Sequence, residues 1–224
     1  MTSKLTDLKK NIIETVEKLF YEQGFDKTTY KQISSILDIS PGSLSYHFDT
    51  KAEIGNIVYI NYMQQYYNNN VMRYLLNKYD SYSPKLASAI EMRLQLMVFK
   101  DDKNVIRFYK ELFNSQPLSG ANITMSQYTL LNNDYFLGEE SKEPDMRTIA
   151  AKGASVALIT SYYEGIIDVP FDEFVDYKVV TVLKTTGIED ETAKALLKQS
   201  KEIVEGMNIE IQPYFKLAIS PKLG

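Results

Sequence analysis

Residue types suited to covalent chemistry are scarce in this chain. It holds one histidine, His47, and no cysteine. No histidine pair can therefore grip a metal, and no thiol is available as a nucleophile, for a disulfide or for a zinc–cysteine site. Gly-x-Ser-x-Gly, glycine-rich phosphate loops and His-Glu-x-x-His do not occur. These absences argue against an enzyme, a cofactor or a resident metal. Hydrogen-bonding chemistry, by contrast, is concentrated in one place. Between Thr28 and Lys51 the chain sets Thr29, Tyr30, Ser40, Ser43, Ser45, Tyr46, His47 and Lys51 around a Pro41-Gly42 step. Serine can donate to or accept from a base edge, and small residues let a backbone approach a groove closely. Tyrosine, histidine and lysine suit phosphate contacts, with Lys51 adding its charge to a positive helix N-terminus.

Those residues need a rigid mount, and the surrounding pattern predicts helices. Leu5, Leu8, Ile12, Val16, Leu19 and Phe20 recur at three- and four-residue spacing and stop before Gly24. Thr28 or Thr29 can cap a second helix that turns Ile33, Ile36 and Leu37 inward. Ser40 caps a third, with Pro41 in its first turn where a missing N–H costs nothing. Two short helices joined by a tight turn, held by Ile33, Ile36, Leu44 and Phe48, can lay the second helix in a major groove. A fourth helix runs from about Lys51 to Tyr79. Further helices are expected over roughly 84–100, 103–116, 122–137, 145–167, 172–185 and 190–206, and the tail from Asn208 shows no clear period. The fold expected is all-α: a three-helix helix-turn-helix domain over residues 1–50, then a larger helical domain over 51–224.

Charge pulls the other way. The chain of 224 residues carries net −4, and residues 1–54 hold seven lysines, no arginine and eight acidic groups, a net −1. Phosphate neutralisation supplies much of the affinity of DNA-binding proteins, so this balance favours a rival reading, a helical module that binds protein or lipid. No apolar run nears the ~18 residues of a membrane span, and the first residues lack an apolar leader. A cytoplasmic location with no membrane partner is the expectation. Asp101-Asp102 and Glu139-Glu140 are read as solvated loop acids.

The stretch 28–51 resembles the tetracycline-repressor (TetR) family. The likeness rests on Thr28-Thr29, Ile39-Ser40, Gly42-Ser43-Leu44, Tyr46-His47-Phe48 and Lys51, with Gly24-Phe25 closing the first helix. It covers about residues 8–54. Ser45 stands where the family more often has an aromatic, and Pro41 where it has a basic residue, which, with no arginine in the domain, implies either a modest affinity or an unusual sequence preference. The resemblance implies a ligand-responsive transcriptional regulator, a repressor released from operator DNA by a small organic effector. It also raises the case for a pocket in the second domain.

Seventeen tyrosines and eight methionines, beside no tryptophan, fit such a pocket. Tyrosine brings an apolar body with a polar tip, and methionine adapts to irregular shapes. Candidate lining residues are Tyr62, Met63, Tyr66, Met92, Leu96, Tyr109, Met125, Tyr128 and Tyr162. Glu164, in an otherwise apolar helix, would be either a pocket acid or a group satisfied at a subunit interface. Because one recognition helix reads few base pairs, a homodimer is expected. The apolar helix 149–167 offers Gly153, Ala154 and Ala157 for close approach about a two-fold axis.

Overall fold

The computed structural model describes residues 2–66, 83–115 and 143–222. Among them lie nine helices and one hairpin. Helix α1 is Thr2–Gln23, α2 Tyr30–Leu37, α3 Pro41–His47, α4 Lys51–Tyr66, α5 Pro84–Asp101, α6 Lys103–Asn114, α7 Glu143–Tyr163, α8 Phe171–Thr185 and α9 Asp190–Glu205. The all-α architecture holds, and no described helix is long and apolar enough to cross a membrane. The expected helix over 122–137, the continuation of α4 to Tyr79 and the pair Glu139-Glu140 lie outside the described residues.

Boundaries follow local chemistry. Gly24 ends α1 at φ +94°, a left-handed conformation that suits glycine. Ser83 caps α5 through a bond from the Leu86 N–H (3.3 Å). Asp102 is no solvated loop acid: its carboxylate accepts from the Asn104 and Val105 N–H groups, capping α6, and from the Tyr21 hydroxyl at 2.9 Å. It is buried because it closes one helix and holds another. Helix α7 stops at Tyr163, four residues earlier than its apolar pattern, since Gly165 takes φ +75°.

The tail is a β-hairpin. Strands β1, Met207–Gln212, and β2, Lys216–Pro221, pair antiparallel from Met207↔Pro221 to Gln212↔Lys216. Met207 is buried, Leu217 and Ile219 alternate inward on the second strand, and Phe215, just before it, is buried as well. Tyr214 and Phe215 turn the chain with φ of 61° and 56°, a strained pair for non-glycine residues. The Phe215 ring offsets the strain by packing against Phe108, Tyr21 and Tyr62, with centroids 4.9, 5.5 and 5.6 Å away. Gln65 of α4 serves as a partner strand, donating to the Phe215 carbonyl (2.8 Å) and accepting from the Leu217 N–H (3.0 Å). The hairpin tip also reaches α1, through Tyr214 to Glu22 and Lys216 to Glu17, each at 2.9 Å.

One apolar cluster runs from Ile12 of α1 to Ile219 of the hairpin. Helix α4 threads its middle. A Cβ added at Gly55 would stand 2.7 Å from Leu112 and 3.1 Å from Phe25, so only glycine lets α4 pass between α6 and the end of α1.

Polar groups also lie deep inside. Lys178 of α8 is 1% exposed, and its ammonium lies 3.5 Å from the Gln95 carbonyl oxygen, while Gln95 donates to the Tyr59 hydroxyl. Burial pushes Lys178 down to about 7, and the Glu91 carboxylate opposes that shift. An unfolded lysine keeps its proton to about pH 10.4. Between those values unfolding takes up a proton, so Lys178 makes stability rise with pH; below about 7 both states are charged and its contribution is flat. Urea unfolding from pH 7 to 9 should show stability climbing by up to ~1.4 kcal/mol per pH unit from this group. In Lys178→Met that part of the slope should vanish, and an identical slope in the two proteins would contradict it.

Candidate nucleic-acid interface

The helix-turn-helix is assembled from two caps and a buried seam. Thr29 accepts from the Gln32 N–H at 3.2 Å and so opens α2. Thr28 does not cap; it is fully buried and donates to the Gly24 carbonyl at 2.7 Å. Asp38 closes α2 in the left-handed region, with φ 51°. Ser40 then accepts from the Ser43 N–H at 3.1 Å, and Pro41 fills the first turn of α3. Leu44 and Phe48 are buried beneath α3, and Ile33 beneath α2.

Ile36 departs from expectation. It is 56% exposed, because Ile33 and Leu37, four residues apart, take the inner line of this short helix and leave Ile36 on its flank.

The outer face of α3 is small and polar except at one point. Pro41, Gly42, Ser45 and Tyr46 are exposed and Ser43 is half-buried. Tyr46 stands out, with 77% of its surface open. Three other residues expected on this face are placed differently. His47 is buried on the last turn of α3, its ring 5.3 Å from that of Tyr46 and edge-on to it. Tyr30 is half-buried and turns its hydroxyl to the Phe48 carbonyl at 3.4 Å. Burial, aided by the charges of Glu53 and Asp49, holds its phenol above the usual tyrosine range.

The third is Lys51, whose ammonium donates to the carbonyls of Phe25 (2.7 Å), Thr28 (3.0 Å) and Asp26 (3.4 Å) and lies 4.2 Å from the centre of the Phe25 ring. Burial lowers its pKa, against the pull of Asp26 and Glu111. The charge expected at a phosphate is spent on the loop between α1 and α2, where helix-end carbonyls need donors. Lys27 and Lys31, which the motif does not include, stand exposed on either side of Thr29. Their proximity to a helix N-cap was the signal available for them in the sequence.

Residues 12–55 match the model described as bacterial regulatory proteins, tetR family. The biofilm operon icaADBC HTH-type negative transcriptional regulator IcaR of Staphylococcus epidermidis (strain RP62A) is 32% identical over 105 residues, covering 47% of this chain and 53% of that protein. The same regulator from Staphylococcus aureus (strain Newman) is 32% identical over 121 residues, or 52% of this chain and 59% of that one. The matches thus span little more than half the length of these relatives. The crystal structure of RolR without ligand superposes on 84% of this chain and 95% of its own, with a TM-score of 0.53 at 17% identity, a likeness of fold.

Over residues 12–55 the chain carries a helix-turn-helix of the TetR type.

Behind the TetR helix-turn-helix, the proposed pocket residues occupy several settings. Tyr62, Met63, Met92, Leu96 and Tyr109 are buried. Tyr62 meets Phe215, whereas Tyr109 sits among Tyr59, Phe99 and Phe113 with centroids 4.4–5.8 Å apart. Tyr162 stacks flat on Phe174 at 4.0 Å. Met125, Tyr128 and the side chain of Tyr66 lie outside the described residues. Glu164 is paired within the chain, 2.9 Å from the Lys110 ammonium. Gly153 and Ala154 are half-buried and Ala157 is exposed on α7, near exposed Ile149 and Met146.

The lysine clamp gives a direct test of this TetR domain. Lys51→Met keeps the stem but removes the donors from partly buried carbonyls, a loss of about 1–3 kcal/mol. The denaturation midpoint should fall accordingly, and an unchanged midpoint would mean that water replaces the ammonium without penalty.

Proposed function

We propose that the protein is a cytoplasmic, homodimeric transcriptional repressor that binds operator DNA through α3 and is released by a small organic molecule. One observation carries this reading: the row of exposed Pro41, Gly42, Ser45 and Tyr46, with half-buried Ser43 among them, rides on a helix whose opposite side is locked into the core. A helix so held presents its base-reading groups in fixed geometry, which groove readout requires. The relatives named above are negative regulators, which supports the repressor sense.

Tyr46 and the flanking Thr29, Lys27 and Lys31 are assigned to phosphates, and Ser43 and Ser45 to base edges. Lys51 acts one step back, by fixing the loop that carries Lys27. His47 likewise supports α3 from beneath.

The two-fold partner is assigned to the open face of α7, where Met146 and Ile149 are exposed in line with Gly153 and Ala157, together with Tyr177 of α8. Small residues along such a face permit close approach. The effector is assigned to the region around Tyr59, Tyr109 and Leu96, where the buried Gln95 and Lys178 add polar recognition to an aromatic wall. Helix α4 links that region to Lys51 and the DNA-binding loop. A tenfold drop in operator affinity requires ~1.4 kcal/mol of coupling between the two sites.

A second reading, an interaction module without DNA affinity, draws support from the net −1 of residues 1–54 and the internal use of Lys51. Salt separates them. Retention of genomic DNA fragments should fall steeply as salt rises, and Tyr46→Ala should weaken retention of every fragment while Ser45→Ala changes which fragments are kept. Salt-independent or absent retention would favour the module. For the dimer, Ala157→Glu should sediment as a monomer where the native protein sediments as a dimer; a native monomer at micromolar concentration would dispose of the assigned face.

A further inference from the structure

The cleft at the base of the hairpin belongs to neither the DNA-binding face nor the proposed effector region. It lies between the end of α5, the first turn of α8, the last turns of α9 and both ends of the hairpin, and encloses about 340 Å³, the size of a small-molecule site. Its floor is apolar, formed by Met97, Val204 and Met207 among others. Around it stand four cations, Arg93, Lys100, Lys201 and Lys222, against three carboxylates, Asp101, Asp172 and Glu205. With Asp176, which is bonded to Arg93, counted as well, the charges here balance, in a chain of net −4.

Arg93 distinguishes this cleft from an ordinary surface groove. Its side chain is 6% exposed. Nε donates to the Ser200 hydroxyl at 2.9 Å, and Nη2 to the Asp176 carboxylate at 2.6 Å and the Leu197 carbonyl at 3.0 Å. Those bonds occupy three of the five guanidinium donors and fix its plane. The two N–H groups of Nη1 remain, each able to donate a single bond to an anion's oxygen. Because Asp176 already offsets the Arg93 charge, the attraction for an anion must come from the lysines. Two of them are held in place: Lys100 over the Phe171 ring, 4.7 Å from its centre, and Lys222 by a 2.7 Å bond to the Glu205 carbonyl. Lys201 completes the set.

We propose that this cleft binds a small organic monoanion, a carboxylate with an aliphatic or aromatic body. The carboxylate sits on the Nη1 edge of Arg93 within reach of the lysines, and the body lies on the apolar floor. A single charge is preferred because Asp101, Asp172 and Glu205 would repel a second. The site does not depend on the protein binding DNA.

Titration calorimetry on the full chain tests it, with octanoate as the probe and 1-octanol as its uncharged counterpart. Arg93→Gln would strand Asp176 and endanger the fold, so the charge test uses the partly exposed lysines. Octanoate should bind one per chain and octanol about tenfold more weakly or not at all. The double variant Lys201→Glu/Lys222→Glu, with native circular dichroism, should lose at least about tenfold in octanoate affinity, and Asp172→Asn should gain affinity. Three results would overturn the proposal: no octanoate binding at millimolar concentration, equal binding of octanol, or octanoate binding that the lysine variant leaves untouched.

Discussion

Lys51 extends its ammonium back across the start of α4 into the loop that ends α1, within 2.7–3.4 Å of three carbonyls. The Phe25 carbonyl already accepts from the Thr28 N–H at 3.2 Å, but carbonyls in the loop past a helix end lack most of the N–H partners that a continuing helix would supply. One side chain supplies donors to them and rests its charge on the Phe25 ring at the same time. Because Lys51 is the first residue of α4, the bond set also fixes where that helix leaves the DNA-binding domain. Four residues on, Gly55 lets α4 slip between Leu112 and Phe25. The orientation of the two halves is therefore set within little more than one turn of helix.

Around that turn, other contacts brace the junction from α6 and the hairpin. Glu111 accepts from the Asp26 N–H at 3.1 Å, and Arg107 donates to the Tyr21 carbonyl at 2.7 Å. The hairpin adds Phe215 to the aromatic packing of α1 and α6. Most of these are bonds from a charged group to a backbone atom, which are stronger than neutral ones when partly shielded from water. A domain joined this way moves with its neighbour, since any hinge at Lys51 must first break several of them. That rigidity suits the coupling proposed above between effector and operator.

The interior carries an unusual electrostatic load for a helical bundle. Lys178, Glu91 and Arg93 are all buried, and Arg93 is held in place by Ser200, Asp176 and Leu197. Buried charges stabilise little by themselves, yet they fix which groups face which, because any other arrangement leaves one uncompensated. They lie on α5 and α8, the same helices that frame the aromatic cluster and the cleft.

Much of this was readable from the sequence. Caps at Thr29 and Ser40, the stop at Gly24, the inward line of Ile12, Val16 and Phe20, and the small residues of α3 all follow from local spacing and backbone preference. Such rules act within a few residues, so a single sequence contains them. The tail from Asn208 shows no clear period in the sequence, and its hairpin turn uses Tyr214 and Phe215 in conformations that neither residue signals. Long-range partners could not be read at all. Lys51 looks like a phosphate ligand until the Phe25 and Thr28 carbonyls, more than twenty residues back, are placed around it. His47 looks like a surface group until α3 is docked with that side inward, and Ile36 like a core residue until α2 is rotated to bury Ile33 and turn Leu37 partly inward. Local sequence determined the elements and their exposed chemistry; tertiary packing decided which charges were left over to meet a ligand, because an ammonium or a ring is assigned to whichever partner lies nearest in space.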